Sequence, residues 1–232
     1  MAIASFFRAI KTTFEDSLGD IIFGMEDGTV SIFGLVFGVA VSASSAATVF
    51  LAGATGAAAA AVSMMAGAYL DAASTRASAL AKLSHEQWEV EHRPGEEAEE
   101  TAQSLRAGGF NDQEIEPILR VLVQNPSTML KFQNAFELQL GRSTETNPVA
   151  HAIWMFVSDL FAASIPVIPF ALLPLGPARI LSVILTSILL VGLGVGRALI
   201  GQQPMARTIL QTLAIASGAA AAGVIVAKLI GE

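Results

Sequence analysis

The sequence predicts an all-α membrane protein: five transmembrane helices, with a small helical domain set between the second and third. Three observations carry that prediction. Charged residues make up 14% of the 232-residue chain and hydrophobic ones 53%, with a mean hydropathy of +0.60, whereas soluble domains carry about a quarter charged residues. Residues 28–70 contain no Asp, Glu, Lys, Arg or His; as helix they would measure about 65 Å, about twice the hydrocarbon core of a bilayer. The charge is also segregated. Residues 75–148 hold twelve acids against seven bases, while 160–178, 180–196 and 208–227 hold no charge at all.

Taken in order, residues 1–26 do not form a signal peptide, because Glu15, Asp16 and Asp20 interrupt any apolar run. Phe7, Ile10, Phe14, Leu18 and Ile22 fall at helical spacing. They suit a helix lying at the membrane interface or, equally, one packed on protein. The stretch 27–74 then crosses twice, as spans over about 28–43 and 47–70, turning at the small polar run Ser42–Ala47. Gly34 and Gly38 have the small-xxx-small spacing that lets helices approach closely.

Residues 75–148 continue in helix into water. Arg93-Pro94-Gly95 breaks the pattern, and a second helix runs over about 96–107 to Gly108-Gly109. Asn111 with Glu114 reads as a capping box opening a helix over about 112–124. Asn125-Pro126 opens a fourth, about 126–140, since proline suits the first helical position. Ile115, Leu119, Leu122, Leu130, Phe132, Phe136 and Leu140 give this small domain its core. Residues 149–232 carry the last three spans, over about 149–173, 178–197 and 205–228, the first ending in a proline-marked run from Ile165 to Pro174. Gly192 and Gly196 repeat the small-xxx-small spacing.

Five spans put the termini on opposite sides. With the N-terminus inside, eleven Lys and Arg residues are cytoplasmic and two, Arg179 and Lys228, are outside; the positive-inside bias therefore makes the acidic domain cytoplasmic. The net charge of −7 argues for cations as partners and against nucleic acid. With no cysteine, disulfides, thiolate metal sites and cysteine nucleophiles are excluded.

The acids are the candidate chemistry. Glu86 and Glu89 lie at i, i+3 on one helix, and Glu97 and Glu100 repeat the spacing on the next, which puts each pair on one face. A turn at Arg93-Pro94-Gly95 can bring the pairs together, with Glu137 joining from the fourth helix. Spacing alone leaves two readings open, a solvated acidic face or a set of oxygen ligands for a hard divalent cation. His85 and His92 read as surface residues. Within the membrane, ionisable residues are functional candidates: Asp27 opens the first span, and Asp159 lies about ten residues into the third, where a carboxylate needs a partner, a proton or an ion. His151 is interfacial. Met64 and Met65 are either core residues or soft thioether ligands. No nucleophile–base pair, phosphate loop or triad is present, so nothing supports an enzyme. An iron-oxidising carboxylate centre would want Glu-x-x-His pairs, and the pairs here are Glu-x-x-Glu.

These residues resemble the vacuolar iron transporter family. The likeness is carried by Asp20-Ile-Ile-Phe-Gly-Met-Glu-Asp27-Gly-Thr-Val-Ser-Ile-Phe-Gly-Leu, by Ala-Val-Ser63-Met64-Met-Ala-Gly-Ala-Tyr69-Leu, by Ile165-Pro-Val-Ile-Pro169-Phe-Ala-Leu-Leu-Pro174 and by the segment from Asn125 to Glu137. It covers nearly the whole chain from about residue 18. The resemblance implies a five-span homodimer that moves Fe²⁺, and often Mn²⁺, out of the cytoplasm in exchange for protons, with no organic cofactor. Asp20 and Asp27 match the family's acids at the first span, and Met64 its pore methionine. Glu86, Glu89, Glu97, Glu100 and Glu137 match the glutamates of a metal-binding cytoplasmic domain.

Two departures stand out. Gly56 occupies the place of a pore glutamate in the plant transporters, which removes a group tied to proton coupling; Asp159 is the candidate to replace it. Gln133-Asn134 replaces a methionine pair, making the cytoplasmic site harder, which favours Mn²⁺ or relaxes selectivity. The alternative function is a membrane-anchored metal-binding or sensing protein without transport. The expected home is a bacterial inner membrane, to which the Ala/Gly-rich composition points, with a vacuole-type membrane as the alternative.

Overall fold

The computed structural model describes residues 11–15, 17–136 and 147–230. Among these, all regular structure is helical: α1 (Leu18–Ser42), α2 (Ala46–His92), α3 (Pro94–Ala107), α4 (Asp112–Val123), α5 (Pro126–Phe136), α6 (Pro148–Leu172), α7 (Leu175–Ile200) and α8 (Met205–Ile230). Five of them, α1, α2, α6, α7 and α8, are long and apolar enough to cross a membrane. The chain divides into a membrane unit, residues 1–69 with 149–232, and a second unit, 70–148. Helix α2 belongs to both without a break.

The membrane unit is built around α1. Two glycine pairs, each spaced i, i+4, let different neighbours reach its backbone. A Cβ on Gly24 would lie 2.7 Å from the Met155 sulfur, and one on Gly28 would lie 2.6 Å from the Asp159 carbonyl oxygen, both on α6. On Gly34 it would lie 2.9 Å from the Ala219 carbonyl, and on Gly38 2.6 Å from that of Gly223, both on α8. Six residues separate Gly28 from Gly34, so the two pairs point to different sides of the helix. Glycine is required at such crossings because any side chain would force the helices apart. The Gly192–Gly196 pair makes no comparable crossing. Gly192 faces open space, and Gly194 is the residue pressed on α8, where a Cβ would lie 2.9 Å from the Ile209 Cα.

The apolar core of this unit joins Ile32, Val36 and Ala40 of α1 with Val49 and Ala57 of α2, Ala163, Val167 and Phe170 of α6, and Ala178 of α7. Ser182 of α7 donates to the Pro166 carbonyl at 2.8 Å, tying α7 to the proline-bearing part of α6.

Helix boundaries depart from the charge-based reading for physical reasons. Helix α1 starts at Leu18 rather than near residue 28, taking Asp20, Glu26 and Asp27 into the helix. Two of these acids have cationic or imidazole partners on other helices, so the helix is not confined to the charge-free run. Helix α7 starts at Leu175 and includes Pro177, which is tolerated because first-turn N–H groups have no intrahelical acceptor.

In the second unit the turns follow the sequence signals. Helix α2 ends at His92 and α3 begins at Pro94. Trp88 stacks on the His92 ring with centroids 4.8 Å apart, and the Arg93 guanidinium lies over Trp88. Gly109 takes φ +94°, a left-handed conformation suited to glycine, in the turn before α4. Asn111 and Glu114 form the capping box in both directions. Ile115 and Leu122 are buried, as are Val90, Ala102, Leu105 and Met129, with Ile118 and Phe132 packed against both apolar clusters.

Candidate metal centre

In the second unit, Glu86 and Glu89 of α2 meet Glu97 of α3. One carboxylate oxygen from each lies within 4.8 Å of the others. Two oxygens on one hard cation, each at about 2.0–2.6 Å, lie at most roughly 5 Å apart, so the three fit a shared ion. Glu97 is the inner member, 2% exposed, while Glu86 and Glu89 are half-buried. The i, i+3 spacing puts Glu86 and Glu89 on one face of α2, and the break at Arg93 lets α3 bring Glu97 to them. His85 lies 3.4 Å from Glu89 and is itself mostly exposed. Glu100 is exposed on α3 and is not among the three. Glu137 lies outside the described residues.

Helix α5 closes the site from the other side in two rungs. The Gln133 amide nitrogen donates to the Glu97 carboxylate. One turn away, the Thr101 hydroxyl donates to the Met129 sulfur at 3.8 Å. Glu97 and Thr101 are four apart on α3, as are Met129 and Gln133 on α5, so the two helices run antiparallel at this contact. Gln133 is fully buried, yet its Oε1 has no hydrogen-bond partner, and neither does Asn134 Oδ1. Such orphaned carbonyl oxygens are rare in folded interiors. Beside the Glu97 carboxylate, an oxygen-seeking cation would satisfy the Gln133 oxygen, and the donor set suits one.

In the membrane unit the acids are handled one at a time. His151 Nδ1 of α6 donates to Asp20 Oδ2 of α1 at 2.6 Å. Asp27, two turns further along α1, is half-buried and lines a cavity of about 250 Å³. Beside it, Glu26 accepts from Arg197 of α7 and from Thr212 of α8. Asp159 is wholly buried, and neither of its carboxylate oxygens has a hydrogen-bond partner. It lies in the notch left by Gly28, where a Cβ would come 2.6 Å from Oδ1. Met64 and Met65 are half-buried on α2. Gly56 of α2 faces α1; a Cβ there would lie 2.9 Å from Leu35 Cδ1.

Glu26, Arg197, Thr212 and Met129 were not singled out by their sequence pattern. Glu26 falls in the segment read as interfacial and Arg197 at the end of the fourth span, and partners at long sequence separation leave no spacing to read.

The VIT family model matches residues 18–228 of this chain. Vacuolar iron transporter 1 of Eucalyptus grandis is 31% identical to it over 212 residues, 91% of this chain and 85% of that protein. Vacuolar iron transporter 1 of Arabidopsis thaliana is 31% identical over 213 residues, again 91% of this chain and 85% of that one. A vacuolar iron transporter of Plasmodium berghei (strain Anka) is 29% identical over 161 residues, 68% of this chain and 59% of that protein.

Proposed function

The chain belongs to the VIT family, and from that premise we propose that it carries Fe²⁺ and Mn²⁺ out of the cytoplasm, as a homodimer, in exchange for protons. It is a multi-pass membrane protein and a metal transporter, not an enzyme. Iron is the ion for which its relatives are named.

The observation that carries the reading is the meeting of Glu86, Glu89 and Glu97 beside Gln133, whose amide oxygen has no partner. This unit, on the cytoplasmic side, collects the ion from dilute solution, with Glu100 and Glu137 adding charge around it. The ion then passes to Asp20 and Asp27, which share a face of α1 at seven-residue spacing, and to Met64 of α2. Each subunit of the dimer supplies one such set. Asp159 takes over the role of the acid that Gly56 lacks, alternately holding and releasing a proton as the bundle rocks between its two faces. The oxygen-only pair Gln133-Asn134 admits Mn²⁺ beside Fe²⁺. The membrane is a bacterial inner membrane, or a vacuole-type one like that of the named relatives.

Purified full-length protein in liposomes, given Fe²⁺ or Mn²⁺ outside and a proton gradient, tests this directly. Uptake of both ions that rises with the gradient, from a protein whose mass in detergent is that of two chains, is the expected result. A second reading, a membrane-anchored metal sensor, is favoured by Gly56 alone. Metal binding without uptake would establish it and overturn transport.

A further inference from the structure

The membrane unit contains an ion pair that the pathway above does not use. Glu26 directly precedes Asp27 on α1, and its side chain is 15% exposed. Arg197, three residues from the end of α7, donates through Nη1 to Glu26 Oε2 at 3.0 Å and to Oε1 at 3.4 Å. The hydroxyl of buried Thr212 on α8 donates to Oε1 at 2.9 Å. A second guanidinium nitrogen, Nη2, reaches Gln211 Oε1 at 3.4 Å. Glu26, Asp27, Arg197 and Thr212 line the same cavity of about 250 Å³, with Phe23 and Val30 among its apolar walls.

Charge accounting gives this arrangement a consequence. Two adjacent carboxylates line one cavity, and a single guanidinium, that of Arg197, lines it with them. Without another cation, Arg197 compensates Glu26, as an acid within a span requires. A divalent ion entering beside Asp27 neutralises both acids by itself, and Arg197 then becomes surplus positive charge at close range in a medium of low dielectric. Its long side chain can leave Glu26 without crossing apolar core, because Gln211 already accepts from it, is exposed, and lies near the start of α8.

Resting on the transport reading above, we propose that Arg197 is a resident counter-cation of the Glu26–Asp27 pair, displaced onto Gln211 when the transported divalent ion enters this cavity and Glu26 becomes one of its ligands. Arg197 is thus a positioning residue. It keeps the acids compensated when no metal is present and sets how strongly the ion must bind to enter.

The test is the concentration dependence of initial Fe²⁺ and Mn²⁺ uptake into liposomes for Arg197→Gln, Glu26→Gln, the double variant and Gln211→Leu. Removing the competitor lowers the KM of Arg197→Gln by roughly tenfold, the scale of one partly buried charge interaction, with a lower maximal rate because the ion leaves more slowly. Glu26→Gln raises KM by a similar factor, and the double variant has a lower KM than Glu26→Gln, since Asp27 remains and no longer has a guanidinium on the wall of its cavity. Gln211→Leu keeps the ion pair but removes the landing place, raising KM by about threefold. If Arg197 only holds α1 against α7, its loss lowers thermal stability and leaves KM unchanged; an unchanged KM in folded Arg197→Gln overturns the proposal. Should Arg197→Gln not fold, an unchanged KM in Gln211→Leu overturns it instead. Wild-type protein that takes up neither ion brings down the transport reading and this inference together, whereas wild-type uptake with unshifted variants brings down this inference alone.

Discussion

Glu97 and Asp159 are both buried carboxylates, one in each unit, and their surroundings differ in kind. Glu97 has an amide donor from Gln133 and two further carboxylates within 4.8 Å. Asp159 has no hydrogen-bond donor and sits against the α1 backbone at Gly28. In the second unit acids are gathered, and repulsion among them is left for a cation to relieve. In the membrane unit each is given different company: His151 for Asp20, Arg197 and Thr212 for Glu26, and bare backbone for Asp159. Gathered oxygens favour holding an ion. Acids with unlike surroundings, some already occupied by a protein donor, favour letting it go again, which transport needs as much as capture.

The largest effect that would break this contrast lies at Asp27, the half-buried acid of the membrane cavity. Asp27→Ala should reduce metal uptake into liposomes to that of protein-free vesicles, while metal binding by the second unit, followed by calorimetry on the full chain in detergent, stays at the wild-type value. A parallel loss of binding would mean that the two regions do not work separately. Glu97→Ala should do the reverse at lower metal concentrations. Losing the inner ligand should weaken binding by about 10–100-fold, the range seen when ordered groups around metal sites are removed. Uptake should be restored by raising the metal concentration. Unaltered binding would mean that the three glutamates are no more than a charged surface.

The two regions also differed in how far the sequence revealed them. The five spans were legible because lipid demands long uncharged runs, and 28–70, 160–178, 180–196 and 208–227 supply them. The capping box at Asn111 and the break at Arg93-Pro94 were legible because their physics is local. Glu86, Glu89 and Glu97 were legible in part: i, i+3 spacing fixes a helix face, but only the turn at Arg93 decides which of Glu97 and Glu100 swings inward, and the structure brings Glu97. The partnership of Glu26 with Arg197 and Thr212 was hidden. It joins residues 171 and 186 positions apart in sequence, and no periodicity records a contact between helices so far apart in the chain. The glycines at 24 and 28 were hidden for a similar reason, since a glycine shows its purpose only when the neighbouring backbone is seen against it.

Two smaller effects sharpen the contrast. Asp159→Asn keeps shape and removes charge, so binding by the second unit should be unaffected. Uptake should fall on the order of tenfold and lose its dependence on the proton gradient, as expected of a functional intramembrane acid. Uptake and pH dependence like those of the wild type would remove Asp159 from the pathway.

Gln133→Met is the finest of these tests, because it alters the character of the gathered site without removing an acid. The substitution nearly conserves volume, which cores tolerate. It removes the amide that donates to Glu97 and the oxygen that has no partner, and it puts a thioether one turn from Met129. Loss of the donor to a buried carboxylate should cost about 1–3 kcal/mol of domain stability without metal, and much less with metal bound, because the ion then satisfies Glu97. Thioethers suit softer ions, so competition binding should shift toward Fe²⁺ over Mn²⁺ by a few-fold. If the stability loss were the same with and without metal, Gln133 would be a packing residue outside the ion's reach. If instead the metal cancels the loss and the preference shifts, the hardness of this site is set by Gln133 and not by the glutamates alone.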